Sequence, residues 1–329
     1  MDLALSTYLN ASGLSAVGQE YFKCFSRFGI RTIPVWLFEP DSLDSLNPDL
    51  VQRMMSLANI LPESPLQFHA GLSSDVRLLK DRYASTASIV LEGDRLTGEQ
   101  AQVCNGVDVV FSPSFFCRNT CVSSGVPKNK IFHLPYPLDS ETWNTNVQTV
   151  KEEKFRFLYM NSCYERKGWD LLLRAFWEEF SAEENVELTM KSYRENDRPE
   201  HLDILVALEA SKLGISRNRR AHVQIMDDVM PADSIPSFMK SFDAYISPHR
   251  SEGCGLNIWH AMALGVPVIS TNYGGCVDFV KDDTAWPVKV AKMIRPGARE
   301  IGLFNQYKDI SWAEPDLADL KRQMRSCFE

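Results

Sequence analysis

One run of residues has the types and spacing for chemistry: Ser247-Pro-His-Arg-Ser-Glu-Gly-Cys-Gly-Leu-Asn-Ile-Trp-His-Ala-Met-Ala-Leu-Gly-Val-Pro-Val-Ile-Ser270. An apolar strand over 243–248 enters a charged loop, and the spacing predicts a short helix over 256–264. Gly265 closes that helix, and 266–271 reads as the next buried strand. Free N–H groups and the positive end of a helix point at whatever lies in front of them, a place that suits phosphate. Gly253 and Gly255 let the backbone approach without a Cβ, and Cys254 and Leu256 lie on the same stretch. Glu252 adds a carboxylate that can accept hydrogen bonds from hydroxyls. Phosphate plus polyol describes a nucleotide sugar, although the same residues could form a tight turn that binds nothing.

The rest of the chain must position that loop. Its 329 residues suffice for two domains or one large α/β unit, and 44% hydrophobic with 24% charged residues is ordinary for a globular protein. A net charge of −8 argues against nucleic acid as a partner, so a phosphate site would be a local positive pocket. No apolar run approaches the roughly 20 residues that span a bilayer. The first residues lack the basic flank of a signal peptide, so a cytoplasmic location is expected. Eight scattered cysteines include Cys117-x3-Cys121, with no second pair to complete a zinc site, so no metal is expected and the thiols read as buried and reduced. Cys254 has His249 and His260 in sequence range as a base, but a small residue that fits the loop is the simpler account.

Short apolar runs alternate with amphipathic stretches. Strands are expected at 2–7, 32–36, 67–70, 88–92, 107–112 and 131–134. A polar Ser12-Gly13 turn leads into a helix over 16–28 with Tyr21, Phe22, Phe25 and Phe28 at helical spacing. The polar tract 139–153 reads as a linker, dividing the chain into domains 1–145 and 146–329. A second alternation follows: strands at 155–160, 186–190 and 223–226, helices at 169–180, 202–213 and 235–242, and an amphipathic helix at 317–324. The pattern predicts an α/β chain of two doubly wound, Rossmann-like domains facing a cleft, with ligands beyond the carboxyl ends of the strands.

Three blocks resemble retaining glycosyltransferases of the large group 1 family, which have the GT-B fold. Phe157-Leu-Tyr-Met-Asn-Ser-Cys-Tyr-Glu-Arg-Lys-Gly-Trp-Asp-Leu-Leu-Leu-Arg-Ala-Phe176 is similar to the family's strand, Arg-Lys-Gly turn and helix. The stretch 243–275 is similar to its Glu-Gly-x-Gly-Leu, Ala-Met-Ala-x-Gly-x-Pro-Val-Ile and Gly-Gly segment, the most specific block. Asp108-Val-Val-Phe-Ser-Pro-Ser114, Ser124-Gly-Val-Pro127 and 130–135 resemble the end of its N-terminal domain. Trp312-Ala-Glu-Pro315 is also similar to one branch of the family, and the likeness spans most of residues 1–290.

The resemblance implies roles. Lys167 would meet the donor diphosphate, unless it is a solvated lysine in a turn, and Glu252 would meet donor-sugar hydroxyls, with Gly253, Cys254, Gly255 and Leu256 against phosphate and sugar. Ser162 stands where the family usually has a second cation, so Arg166 or Arg250 would have to substitute. His260 replaces the carboxylate that grips the ribose, and an imidazole has at most one acceptor nitrogen, which alters donor binding unless His260 is a buried residue satisfied by a backbone carbonyl. Gly13 lies where the family's glycine loop approaches the donor, and Glu92 ends a strand where many members place a residue near the reacting sugar, or else caps a turn. His69 could face the cleft or belong to the core.

The implied enzyme is a metal-independent, retaining hexosyltransferase with no cofactor. Its UDP-sugar or GDP-sugar donor would supply a glycan, lipid-linked or small-molecule acceptor, as in polysaccharide biosynthesis, with at most peripheral membrane contact. Ser162 and His260 motivate an alternative, a catalytically weakened nucleotide-sugar binding or scaffold protein. A dinucleotide oxidoreductase is disfavoured because no Gly-x-Gly-x-x-Gly follows the first strand. The family's chains usually continue with helices that return to the first domain, so the ending at Glu329 suggests a compact or truncated form.

Overall fold

A computed structural model describes residues 2–10, 12–41, 43–58, 66–70, 84–192 and 202–329. The chain divides into two compact units, Met1–Thr142 with Met230–Ser234, and Trp143–Val229 with Ile235–Glu329. The division thus passes inside the expected linker, three residues before the expected boundary. Within that tract Asp139 Oδ1 binds Arg27 Nη2 at 3.1 Å, whereas Trp143 and Val147 pack on the second unit's core.

The first unit contains β1 (Asp2–Thr7), α1 (Gly13–Arg27), β2 (Arg31–Trp36), α2 (Pro48–Ala58), β3 (Leu66–Ala70), β4 (Ala84–Ser88), α3 (Gly98–Gly106), β5 (Val109–Ser112), α4 (Phe115–Ser123) and β6 (Ile131–His133). Its six-stranded sheet is parallel, in the order β2-β1-β3-β4-β5-β6. Ser12 caps α1, its hydroxyl accepting from Ser15 N at 3.2 Å. Thr97 and Gln100 form a reciprocal capping box at α3. The strand expected at 88–92 lies earlier: β4 is Ala-Ser-Thr-Ala-Ser, ending at Ser88. Ile89 makes one further rung, to Phe111 O at 2.8 Å, and then the chain leaves the sheet, with Leu91 N directed to Cys117 Sγ. Ile89 and Leu91 are buried against α3 and α4. Their alternation therefore marks a core crossing, while the true strand is too small and polar to show a hydrophobic pattern.

The second unit contains β7 (Phe155–Met160), α5 (Trp169–Glu179), β8 (Val186–Lys191), α6 (Leu202–Leu213), β9 (His222–Met226), α7 (Ile235–Lys240), β10 (Ala244–Ser247), α8 (Leu256–Ala263), β11 (Val268–Thr271) and β12 (Trp286–Val288). The order of this parallel sheet is β12-β11-β10-β7-β8-β9. Its strand order reverses between β7 and β10, the place where doubly wound sheets open a crevice for ligands. After β12 come β13 (Val290–Ile294), α9 (Ala298–Leu303), β14 (Trp312–Pro315) and α10 (Leu317–Phe328). The antiparallel β13–β14 ribbon has no counterpart among the expected elements. Leu172, Leu173 and Phe176 of α5 are buried together with Leu320 and Met324 of α10. Helix α10 continues a turn past Met324 because Phe328 packs on Phe155 and Phe180, and Arg325 reaches Glu179 at 2.8 Å.

Candidate active site

The loops that leave β7 and β10 meet at the reversal point of the second sheet. The first loop forms a short 3-10 turn, Glu165–Lys167, and then enters α5 through Gly168. The second carries 248–255 and enters α8 through Gly255. A main-chain hydrogen bond from Arg250 N to Arg166 O, 2.7 Å long, ties the two. Gly168 has φ +70°, and a Cβ there would stand 1.8 Å from Pro248 O, so only glycine permits this approach.

Lys167 and Glu252 form an ion pair across these loops, the ammonium on Oε1. Arg166 Nη1 lies 3.5 Å from the same oxygen and donates to Ser251 O at 2.8 Å. Burial alone would push the Glu252 carboxyl up, but Lys167 and then Arg166 outweigh it and hold the group at about 2. The carboxylate is therefore ionised at neutral pH. Gly275 N donates to Glu252 O at 2.7 Å, and a Cβ on Gly274, at φ +89°, would come within 2.4 Å of that carbonyl. The Gly274-Gly275 pair thus fixes the main chain from which the carboxylate projects.

His249 and Arg250 hold the loop from behind. His249 is fully buried, and burial pushes its imidazole below the usual histidine range. Its Nε2 lies 2.9 Å from Tyr273 O, and its Nδ1 lies 3.1 Å from Ser247 O and 3.2 Å from the Ser247 hydroxyl. Arg250 does not reach outward as a substitute cation. Its guanidinium binds Asp170 through two 2.8 Å hydrogen bonds and Glu314 Oε2 at 2.6 Å. Arg166 is likewise committed to Ser251 and Glu252. The thiol nearest His249 is Cys276, at 3.6 Å; Cys254 is buried in the loop.

On α8, Asn257 Nδ2 donates to Met160 O at 2.6 Å, joining this helix to the end of β7. His260 is buried beneath Trp143, the two rings stacked 3.6 Å apart at 7°. Burial brings its imidazole down to about 3, and Nε2 finds no hydrogen-bond partner among the described residues. The expectation of a buried His260 satisfied by a backbone carbonyl is therefore not met at Nε2.

The expected site residues Ser162, Arg166, Lys167, Glu252, Gly253, Cys254, Gly255, Leu256 and His260 all lie on the two loops or on α8. Ser162 contributes its carbonyl, which accepts from Tyr159 OH at 3.1 Å. Gly13 and Glu92 belong to the first unit, Gly13 opening α1 and Glu92 standing four residues past β4. His69 lies on β3, and its side chain is outside the described residues. Sequence reasoning missed Asp170, Glu314 and Trp143, all far from their partners in the chain. Among the described residues there is no cluster of three or more His, Cys, Asp or Glu suited to a metal, and no helix long and apolar enough to cross a membrane.

Comparison with known proteins places this geometry. Residues 154–297 match the family model "Glycosyl transferases group 1". A GDP-mannose-dependent alpha-(1-6)-phosphatidylinositol monomannoside mannosyltransferase of Mycolicibacterium smegmatis is 25% identical over 196 residues, 55% of this chain and 48% of that enzyme. The alignment therefore spans about half the length of that relative. HepE of Anabaena, solved with UDP-glucose, has a TM-score of 0.65 at 12% identity and covers 100% of this chain and 99% of its own. A glycosyltransferase from Rickettsia africae has a TM-score of 0.59 at 14% identity, covering 100% and 94%. At these identities the superpositions show a shared fold alone, the α/β GT-B type. The loops described above lie inside the segment 154–297, the part of the chain that is similar to the group 1 glycosyltransferases.

Proposed function

We propose that the chain transfers a hexose from a nucleoside diphosphate sugar to a sugar-containing acceptor, with retention at the anomeric carbon and without a metal. The observation that carries this reading is the Lys167–Glu252 pair beside the amino end of α8, at the reversal point of a doubly wound sheet. Lys167 would neutralise charge on the leaving diphosphate, and Glu252, held ionised, would accept hydrogen bonds from donor-sugar hydroxyls. The leaving phosphate would take the acceptor proton on the same face. Glu92 would stand near the reacting sugar. The UDP-glucose bound by HepE and the GDP-mannose named for the mycobacterial relative support a UDP-sugar or GDP-sugar donor.

A thermal-shift panel of UDP, GDP, ADP and their sugars, followed by transfer assays, tests the reading, because a ligand that binds only the folded state raises its apparent stability. One nucleotide should raise the midpoint, and Lys167→Ala should abolish most turnover. Wild-type turnover in Lys167→Ala, or no response to any nucleotide, would sink the assignment. One observation favours a second reading, a binding or scaffold protein: Arg166 and Arg250 are both engaged inside the fold and neither supplies the second cation missing at Ser162. Calorimetric binding of a donor with neither hydrolysis nor transfer across an acceptor panel would select that reading.

A further inference from the structure

Lys167 ends a three-residue turn, and the helix it feeds has no side-chain cap at Gly168. The turn is bracketed instead by one buried guanidinium. Arg250 Nη1 donates to Glu165 O, at the start of the turn, and the Nη1/Nη2 fork grips Asp170, in the first turn of α5. Its backbone N–H takes Arg166 O between them. Every one of these bonds falls within three residues of Lys167. On the opposite side Arg250 is held twice by β14: Glu314 accepts from Nε at 2.6 Å, and Ala313 N donates to Arg250 O at 2.9 Å. Trp312 of the same strand is fully buried in a cluster with Tyr307 and Ile310, which anchors the brace.

We infer that Arg250, braced by Glu314 of the Trp312-Ala-Glu-Pro315 strand, is a positioning residue that sets Lys167 against Glu252. The inference rests on reading that pair as the diphosphate site. It gives the Trp312-Ala-Glu-Pro315 motif a task and explains why the charge at position 250 is turned inward. A planar fork with five donors makes both bonds to Asp170 and one each to Glu314 and the Glu165 carbonyl, and an ammonium with three donors cannot make all four.

The test is a double-mutant cycle on the full chain, with UDP and GDP as probes in calorimetric titrations taken to millimolar ligand, and thermal midpoints recorded in parallel. Glu314→Gln should weaken the better-binding nucleotide about tenfold in the wild-type background, and by less than about twofold when Lys167 is already alanine, because sites that act as one unit are not additive. The loss in thermal midpoint should be the same in both backgrounds. Arg250→Lys should reproduce the binding defect, since restoring charge without the fork does not restore the geometry. An equal loss of affinity in both backgrounds, or none in either, would overturn the positioning role and leave the donor site standing. If the wild-type chain binds neither nucleotide, the donor-site reading itself falls, and the inference falls with it.

Discussion

At the residue scale, the charge state of Glu252 limits its chemistry. A carboxyl held at about 2 is ionised at any pH near neutrality, so it cannot donate a proton and is a weak base. What remains is to orient the Lys167 ammonium and to accept hydrogen bonds from hydroxyls. These two residues should therefore fail in opposite ways. Lys167→Ala removes the cation and should weaken UDP or GDP binding together with turnover. Glu252→Gln removes an anion from beside the phosphate site and releases Lys167 to the ligand. Nucleotide affinity should hold or rise while transfer falls, by about 100-fold if the carboxylate contributes as much as a typical preorganised polar group. Calorimetry paired with a transfer assay separates the cases. A Glu252→Gln chain that loses affinity as Lys167→Ala does would reduce Glu252 to a strut for the lysine. Much of this pair was legible in the sequence, because Arg-Lys-Gly and Glu-Gly-x-Gly are local patterns. The inward turn of Arg250 was not, since Asp170 and Glu314 lie 80 and 64 positions away.

At the element scale, two glycines with left-handed backbone introduce α5 and α8, and they differ in what surrounds them. Gly168 faces a carbonyl: its added Cβ would lie 1.8 Å from Pro248 O, so one of the two site loops must move. Gly255, at φ +82°, would meet the Ile258 side chain at 3.0 Å, and that methyl can rotate away. Gly255→Ala should thus cost about 1 kcal/mol of backbone strain. Gly168→Ala should cost several-fold more and also lower nucleotide affinity, because the displaced loop carries Lys167. Urea unfolding midpoints for the two variants give the comparison; equal losses would mean that the loops do not need their close approach. The same contrast explains which elements could be read in advance. β7 and α5 announce themselves by apolar periodicity, whereas β4 is built from small polar residues and the β13–β14 ribbon alternates weakly. Their places are set by neighbours, Leu66–Ala70 and Val109–Ser112 in the case of β4, and no window of sequence contains them.

At the scale of the whole molecule, His249, His260 and Glu252 make stability fall on the acid side, the histidine effect beginning at higher pH. His260 is brought from the ordinary 6.5 to about 3 by burial, and burial lowers His249 as well. His260 stays neutral in the folded chain while the unfolded chain takes up protons below about pH 6.5, and His249 shifts in the same direction, so the unfolded state binds more protons and stability drops as pH falls. Their contribution is complete above pH 6.5 and, for His260, is lost down to about 3. Glu252 behaves as a depressed carboxylate: its contribution is present above 4.5 and is lost as pH falls toward 2. Between about pH 6 and 5 His260 therefore acts before the Glu252 carboxylate does. Each proton taken up only by the unfolded chain contributes a slope of about 1.4 kcal/mol per pH unit. Replacing His260 by Phe keeps an aromatic ring under Trp143, where the stack is 3.6 Å deep, and removes one of these protons. The urea-derived stability of His260→Phe should consequently fall about 1.2 kcal/mol per pH unit less steeply than wild type across pH 6 to 5, the unfolded imidazole being only partly protonated at pH 6. Below pH 4.5 the Glu252 contribution to the slope should persist unchanged. An unaltered slope between pH 6 and 5 would mean that His260 takes its proton in the folded state, and that the face under Trp143 is wet.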